Sequence, residues 1–561
     1  MYLGYIVFRY GGCVRRPFLQ LLLVAAVAFA LLGYGIERAS VGTAYSDPVS
    51  KLRAQDECTY ANSAIGLAHA GGWLTPKVLG RYLLFKPPLL VWLAGLSLKI
   101  FGQSLLALRL PALAAAVSVA VILFWWTRRE RPILIACAAS VLFLSNPLMH
   151  IFARLCYTDM LVVAAISGAL AFFYADPSLV RTRTLWCCGA SIAAGVMAKN
   201  VAGLLPLFIL ALYCVLIRTE KRPPLARLAL GTLIAAALIA PWHIYQLIVH
   251  RQWFWADYVQ VQLLGFGVQL PVTSEESQAA FYFKRLFLTD PALALLLATA
   301  LPFLISALRD RKHILPALLT AWFAIAAGAL LLFRYQNLPY AILLIPPACL
   351  IAAAYNPLFS GQRAKWGLLA LCGIFAVKCS EPGKLWGLPL GAAEPLPAVA
   401  GLRDYYNLGR TNELILADSD DFFYAYTLAL PRVRYYFRVQ DDSAAKAFPH
   451  YVDLGIILTE DQFERLPQLE PAYLARLRNW GLDSTQPIGT AILGASDDAL
   501  VRLVKARPGS DYYVTIPELQ LLQRDESIRR THAVRELPYG RAFLLTLNTA
   551  SRPVVPLPAK W

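Results

Sequence analysis

The sequence predicts a polytopic α-helical membrane protein of about 11–13 spans that ends in a soluble α/β domain. Three observations carry this. The 561 residues are 58% hydrophobic and only 16% charged, with a mean hydropathy of +0.52, whereas a soluble chain is about 25% charged. Apolar runs repeatedly approach the roughly 20 residues that cross about 30 Å of hydrocarbon. After residue 380 the apolar runs shorten to strand length (413–417, 454–458, 490–493, 543–547) and alternate with helical stretches such as 497–505, the pattern of a small α/β fold. The expected division is a transmembrane domain over 1–379, with a first external loop at 37–104 that carries interfacial helices, and an external domain over 380–561.

Charge orients the elements. The formal net charge is +17, but acids and bases roughly balance after residue 380. The excess therefore lies in the membrane half, in short clusters between apolar runs. That is the positive-inside pattern, and it excludes a nucleic-acid-binding stripe. Arg9, Arg15 and Arg16 precede the first span, 17–36, which puts the N-terminus inside and Asp56 outside. This run is span-length and lacks a small-residue cleavage site, so it reads as a span and not a cleaved signal peptide. The next run, 87–101, is short, opens on Pro87-Pro88 and carries Lys99 near its end. Making it cross would put every later basic cluster on the wrong side, so it reads as an interfacial helix. Spans then follow at 105–126, 132–148, 160–174, 185–198, 202–217, 228–245, 291–308, 314–333, 340–354 and 367–377. The inner loops receive Arg128, Arg129 and Arg131; Arg181 and Arg183; Arg218, Lys221, Arg222 and Arg227; Arg309, Arg311 and Lys312; Arg363 and Lys365.

The same topology collects polar clusters on the outer face. They are Asp56-Glu57-Cys58-Thr59-Tyr60, Arg81-Tyr82 through Lys86-Pro87-Pro88, Arg154 through Asp159, Lys199-Asn200, the loop 243–290, and Arg334-Tyr335-Gln336-Asn337. Polar residues belong in loops anyway, but Asp159 and Lys199 sit at span ends, where ionisable groups are costly without a use. Loop 246–290 is rich in aromatics (Trp253, Phe254, Trp255, Tyr258), either a membrane-interface belt or a lid over a lipid chain. Of the ten cysteines, Cys137, Cys187, Cys188, Cys214, Cys349 and Cys372 lie in apolar runs and act as small hydrophobes. Cys58 and Cys156 fall in external loops and pair only if those loops meet. Asp418, Asp420 and Asp421 follow a strand, where turn and cap roles compete with a ligand site. No phosphate-binding glycine loop appears, so nothing supports a nucleotide fold.

This layout suits a lipid-phosphate sugar, whose tail wants hydrocarbon, whose phosphate wants fixed cations and whose sugar wants a polar rim. Lys86, Lys199 and Arg334 are placed to hold the phosphate. Breaking the sugar–phosphate bond leaves charge on the phosphate, which the same cations would stabilise. Asp56 would face the acceptor, as a base toward a hydroxyl, or orienting an already ionised phosphate acceptor beside an oxocarbenium-like centre. Snorkelling to the interface is the competing account of Lys86, Arg154 and Arg334.

Asp56-Glu57-Xaa-Xaa-Tyr60, Gly71-Gly72-Trp73-Leu74-Thr75-Pro76 and Lys86-Pro87 resemble the first external loop of the protein O-mannosyltransferase and aminoarabinose transferase superfamily, the GT-C glycosyltransferases. Arg109-Leu110-Pro111, Arg154 to Asp159, and Leu338-Pro339-Tyr340 with Pro346 resemble further landmarks in the same order, over 56–347. The resemblance implies an inverting enzyme of the bacterial inner membrane that takes a sugar from polyprenyl (undecaprenyl) phosphate at the periplasmic face. It implies Asp56 as the main catalytic carboxylate with Glu57 beside it, Asp159 as a second acid and Lys86 as a donor-phosphate ligand. Tyr60, Arg81, Tyr82, Arg154, Lys199, Arg334 and Tyr340 complete the expected substrate-binding set. A soluble domain after the spans fits the aminoarabinose type better than the mannosyltransferases, and so does a glycolipid acceptor such as lipid A. Three departures, Thr59, Phe85 before Lys86 and Asn200 after Lys199, leave the sugar and acceptor open, with a protein hydroxyl or a polysaccharide as alternatives. A flippase for lipid-linked sugars is the alternative of another class, against which stand the few charges inside spans and the lack of a repeat. No cofactor, metal or nucleic-acid partner is expected; His243 and His250 are the exceptions to watch for metal.

Overall fold

A computed structural model describes residues 15–36, 56–78, 81–102, 104–269, 277–332, 336, 338–359, 363–380, 414–417, 433–439, 457–459, 465, 490–494, 496, 498–536 and 542–548. The chain divides into two compact units. The first comprises Met1–Glu37, Lys86–Gln246 and Gln262–Leu390, and the second Arg38–Phe85, Leu247–Val261 and Gly391–Trp561.

The first unit is a helix bundle, as hydrocarbon demands, since it offers backbone amides no partner but the chain's own carbonyls. Six stretches are long and apolar enough to cross a membrane: Leu105–Glu130, Thr158–Ala175, Thr182–Leu216, Leu225–Arg251, Pro291–Arg309 and Ile314–Leu332. Shorter apolar helices cover Phe18–Gly33, Leu89–Phe101, Ile133–Ser145 and Pro339–Tyr355. The 13-residue helix Leu89–Phe101 rises only about 20 Å. It ends at Gly102, whose φ of 81° turns the chain sharply.

The stretch Thr182–Leu216 is two helices. The first ends at Lys199, Asn200 takes φ 52° and ψ −134°, and the turn Asn200–Leu204 leads into Leu205–Leu216. A Cβ added to Gly195 would lie 2.9 Å from the Gly203 Cα, although residues eight apart on one continuous helix are about 12 Å apart. The chain therefore doubles back, backbone against backbone, at Lys199.

Caps punctuate the other helix starts. Ser104 Oγ accepts from the Ala107 amide, Asn146 Oδ1 from Met149 and Asp290 Oδ1 from Leu293. Pro147 and Pro291 occupy first-turn positions where no donor is missed. Small residues on Leu105–Glu130 (Ala112, Ala116, Ala120) are fully buried and let neighbouring helices approach closely. The Arg109 guanidinium, also buried, donates at 2.7 Å to the carbonyl of Ile36, in the turn that follows helix Arg15–Gly33.

In the second unit, helix Asp56–Ala70 opens with its two acids in the first turn, where the helix dipole favours them, and stops at Gly71 and Gly72, both at φ near 80°. A short hairpin follows, β1 (Lys77–Val78) and β2 (Arg81–Tyr82). The stretch 56–82, expected as part of an external loop that carries interfacial helices, is built of this helix and hairpin. In the connection 246–290, helix Leu225–Phe254 continues as a π-type helix over Trp255–Gln269, and Gln278–Thr289 is helical again.

The C-terminal sheet contains β3 (Leu414–Ala417), β4 (Val433–Val439), β5 (Ile457–Thr459), β6 (Thr490–Gly494), β7 (Asp511–Thr515), β8 (His532–Glu536) and β9 (Ala542–Leu547). Its order is β5-β6-β4-β3-β7-β9-β8. The first five strands are parallel, while β9 runs antiparallel to both β7 and β8. Parallel strands need crossover connections and bury both faces, and β3 reads Leu-Ile-Leu-Ala accordingly. Helix Asp498–Ala506 turns Ala499, Leu500, Leu503 and Val504 into the core. The Tyr512 hydroxyl donates to the Leu503 and Arg507 carbonyls at the end of that helix.

Candidate functional site

Helix reversal at Asn200 delivers Lys199 to the end of its span. Asp159 arrives from another direction, in the first turn of Thr158–Ala175. The two meet at 2.6 Å between Lys199 Nζ and Asp159 Oδ1, with the carboxylate side chain 6% and the ammonium 16% exposed. Tyr340, from the turn Leu338–Leu344, places its ring centroid 4.7 Å from the same ammonium. Three segments far apart in sequence thus converge on one cation, neutralised on one side and held by a π face on the other. Arg154, just before Asp159, donates from Nη1 to His150 Nε2 at 3.0 Å. A guanidinium only donates, so His150 is neutral there, with its proton on Nδ1. Lys86 is half-buried at the start of the first unit's second segment.

In the second unit, Asp56 is exposed at its helix start while Glu57 and Tyr60 are buried. Tyr82 is half-buried, with Lys77 Nζ 5.2 Å from its ring centroid and the His250 ring 4.3 Å away. The side chains of Arg81 and Cys58, and all of Arg334, lie outside the described residues, as do Asp418, Asp420 and Asp421. The question of a Cys58–Cys156 disulfide goes with them.

Two features escaped sequence reasoning. Buried Asn146 donates from Nδ2 to Asp290 Oδ2 at 3.0 Å, across 144 residues. Each reads in sequence as a local cap before a proline, and each is one, so nothing signalled the second bond. His250, noted only as a metal candidate, instead bonds Thr75. Among the described residues no three or more His, Cys, Asp or Glu side chains form a group able to hold a metal ion.

The family model described as dolichyl-phosphate-mannose-protein mannosyltransferase matches residues 85–245. An uncharacterized protein of Aquifex aeolicus (strain VF5) is 29% identical over 201 residues, 36% of this chain and 40% of its own length. The undecaprenyl phosphate-alpha-4-amino-4-deoxy-L-arabinose arabinosyl transferase of Aeromonas salmonicida (strain A449) is 26% identical over 382 residues, 63% of this chain and 64% of that protein. The chain thus spans less than two thirds of the length of these curated relatives. The crystal structure of ArnT from Cupriavidus metallidurans bound to undecaprenyl phosphate superposes with a TM-score of 0.66, over 95% of this chain and 99% of that one, at 16% identity. At that identity the likeness is one of fold. The bundle, the C-terminal sheet and these likenesses agree: the chain is a multi-pass membrane protein with the fold of the GT-C glycosyltransferases, and among them it resembles the aminoarabinose transferases.

Proposed function

We propose that the protein transfers a sugar from a polyprenyl-phosphate donor to an envelope acceptor at the periplasmic face of the bacterial inner membrane. The observation that carries this reading is the Asp159–Lys199 pair against Tyr340. A carboxylate and an ammonium placed at span ends and ordered by a third segment are costly to keep without a use. The name of the Aeromonas relative supports an undecaprenyl-phosphate donor of the aminoarabinose type; lipid A or a related glycolipid is the acceptor on this reading.

In the transfer, an acceptor oxygen attacks the anomeric carbon opposite the phosphate. The bond from that carbon to the phosphate oxygen breaks, and the phosphate leaves with the electron pair. Lys86 and Lys199 stabilise the charge that gathers there. Asp159 holds the Lys199 ammonium in place, and Tyr340 limits its swing. Asp56, exposed at its helix start, takes the proton of a hydroxyl acceptor or orients a phosphate acceptor that has none to lose. Glu57 is wholly buried, and on this reading it positions that helix. Tyr60, Arg81, Tyr82, Arg154 and Arg334 complete the substrate-binding set on this reading.

The test is sugar transfer from a synthetic polyprenyl-phosphate donor to lipid extract by the purified protein and by Asp56→Asn. Transfer is expected to vanish in the variant while donor binding persists. A wild-type protein that binds donors yet transfers none of them would overturn the reading in favour of transport.

A further inference from the structure

The hairpin β1–β2 has only two residue pairs, Lys77 with Tyr82 and Val78 with Arg81. A ladder that short does not hold its shape in water unaided. Its base is closed by the Leu83 amide, which donates to the Pro76 carbonyl at 2.8 Å. The helix that carries Asp56 packs against it through Gly66, where an added Cβ would stand 4.0 Å from the Lys77 carbonyl oxygen. A further hold comes from His250, 175 residues from Thr75. Its Nε2 is hydrogen-bonded to Thr75 Oγ1 at 3.2 Å, at one foot of the hairpin. Its ring lies 4.3 Å from the Tyr82 ring, tilted by 50°, at the other foot. Lys77 reaches the same tyrosine ring. Directly after His250 the helix breaks at Arg251, with φ 39° and ψ −109°, a backbone state that a non-glycine residue holds at a cost of about 1–3 kcal/mol and that clusters at functional sites.

We propose that His250 is a positioning residue that fastens the hairpin 75–82 at both feet and thereby sets the origin of the segment running on to Lys86. The inference rests on the transferase reading for its purpose, since the segment it orders leads to the donor-phosphate lysine. Histidine suits the task because one side chain supplies both a ring face for Tyr82 and a nitrogen for Thr75. Glutamine supplies only the second and phenylalanine only the first.

The experiment is limited trypsin digestion of the purified full chain, following cleavage after Lys77 and Arg81, with donor KM and kcat measured on the same samples. Loss of a hydrogen bond together with a ring contact is worth about tenfold. His250→Ala is expected to speed cleavage at both positions about tenfold and to raise donor KM by a similar factor, with kcat changed less than about twofold. His250→Gln and His250→Phe should each fall between the alanine variant and wild type. Thr75→Val should match His250→Phe and add nothing to it, which keeps the test alive if the alanine variant fails to fold. Unchanged cleavage in these variants overturns the proposal. Faster cleavage with an unchanged donor KM overturns the positioning role. If wild type transfers no sugar, the transferase reading fails, while the cleavage rates still decide whether His250 holds the hairpin.

Discussion

The molecule contains the same ion pair in two settings. Lys199 meets Asp159 at 2.6 Å with both side chains largely buried at span ends. Lys505 meets Asp525 at 2.5 Å, with the lysine side chain 49% exposed on the sheet domain. Asp525 also caps the helix Glu526–Thr531, accepting from the Ser527 and Ile528 amides. Bonds from Lys505 first, and then Ser527, hold its carboxyl well below the usual carboxylate range. In water a pair of this kind adds little beyond the cap, because solvent satisfies either partner alone. At a span end water is scarce, so losing one partner leaves the other charge poorly compensated. The two pairs share chemistry but not consequence.

The sharpest way to break this comparison is Lys199→Met. It is expected to destabilise the protein by about 3–5 kcal/mol, the cost of a buried charge left bare, and to abolish transfer. Adding Asp159→Asn should recover much of that stability. Thermal unfolding in detergent reads both, and a double variant no more stable than the single one would show that the charges are uncoupled. Next comes Gly203→Ala. The added methyl would sit 2.0 Å from the Val196 backbone nitrogen, where no rotamer change can relieve it, so a loss of about 3 kcal/mol is expected, with transfer falling as Lys199 shifts. A smaller effect separates two substitutions of Asn200, whose φ of 52° and ψ of −134° suit glycine. Asn200→Gly should be more stable than Asn200→Ala by about 1 kcal/mol. The mildest is Asp525→Asn. The folded carboxyl titrates below its unfolded value, so its contribution is present above about pH 4 and is lost as pH falls through the folded value. The unfolding difference from wild type should therefore be seen at neutral pH and shrink under acid.

Hydropathy and the sign of loop charges made the membrane fold legible, because hydrocarbon imposes span length and backbone satisfaction on any sequence. Asp159 and Lys199 stood out for the same reason, as ionisable residues closing apolar runs, although their contact appeared only as a shared face. The aromatic stretch 246–290 was harder to read. Its aromatics suited a membrane-interface belt and a lid alike, which left its backbone open. A structureless connection of that length is itself unusual, and it proved largely helical. The bond from His250 to Thr75 had no local signature at all, since a histidine on an amphipathic helix looks alike whatever it touches. Strand alternation after residue 413 implied an α/β sheet but left the order β5-β6-β4-β3-β7-β9-β8 open, because pairing between distant short strands is decided by packing.

The doubled-back chain at Gly195 and Gly203 sets where motion is affordable. The turn Asn200–Leu204, pressed through Gly203 onto Gly195 and Val196 of the helix before it, cannot shift without parting backbone from backbone, so Lys199 stands as a fixed post. On the proposed reading, substrate travels to that ammonium, and any rearrangement that admits or releases it belongs to parts of the chain that are not anchored in this way.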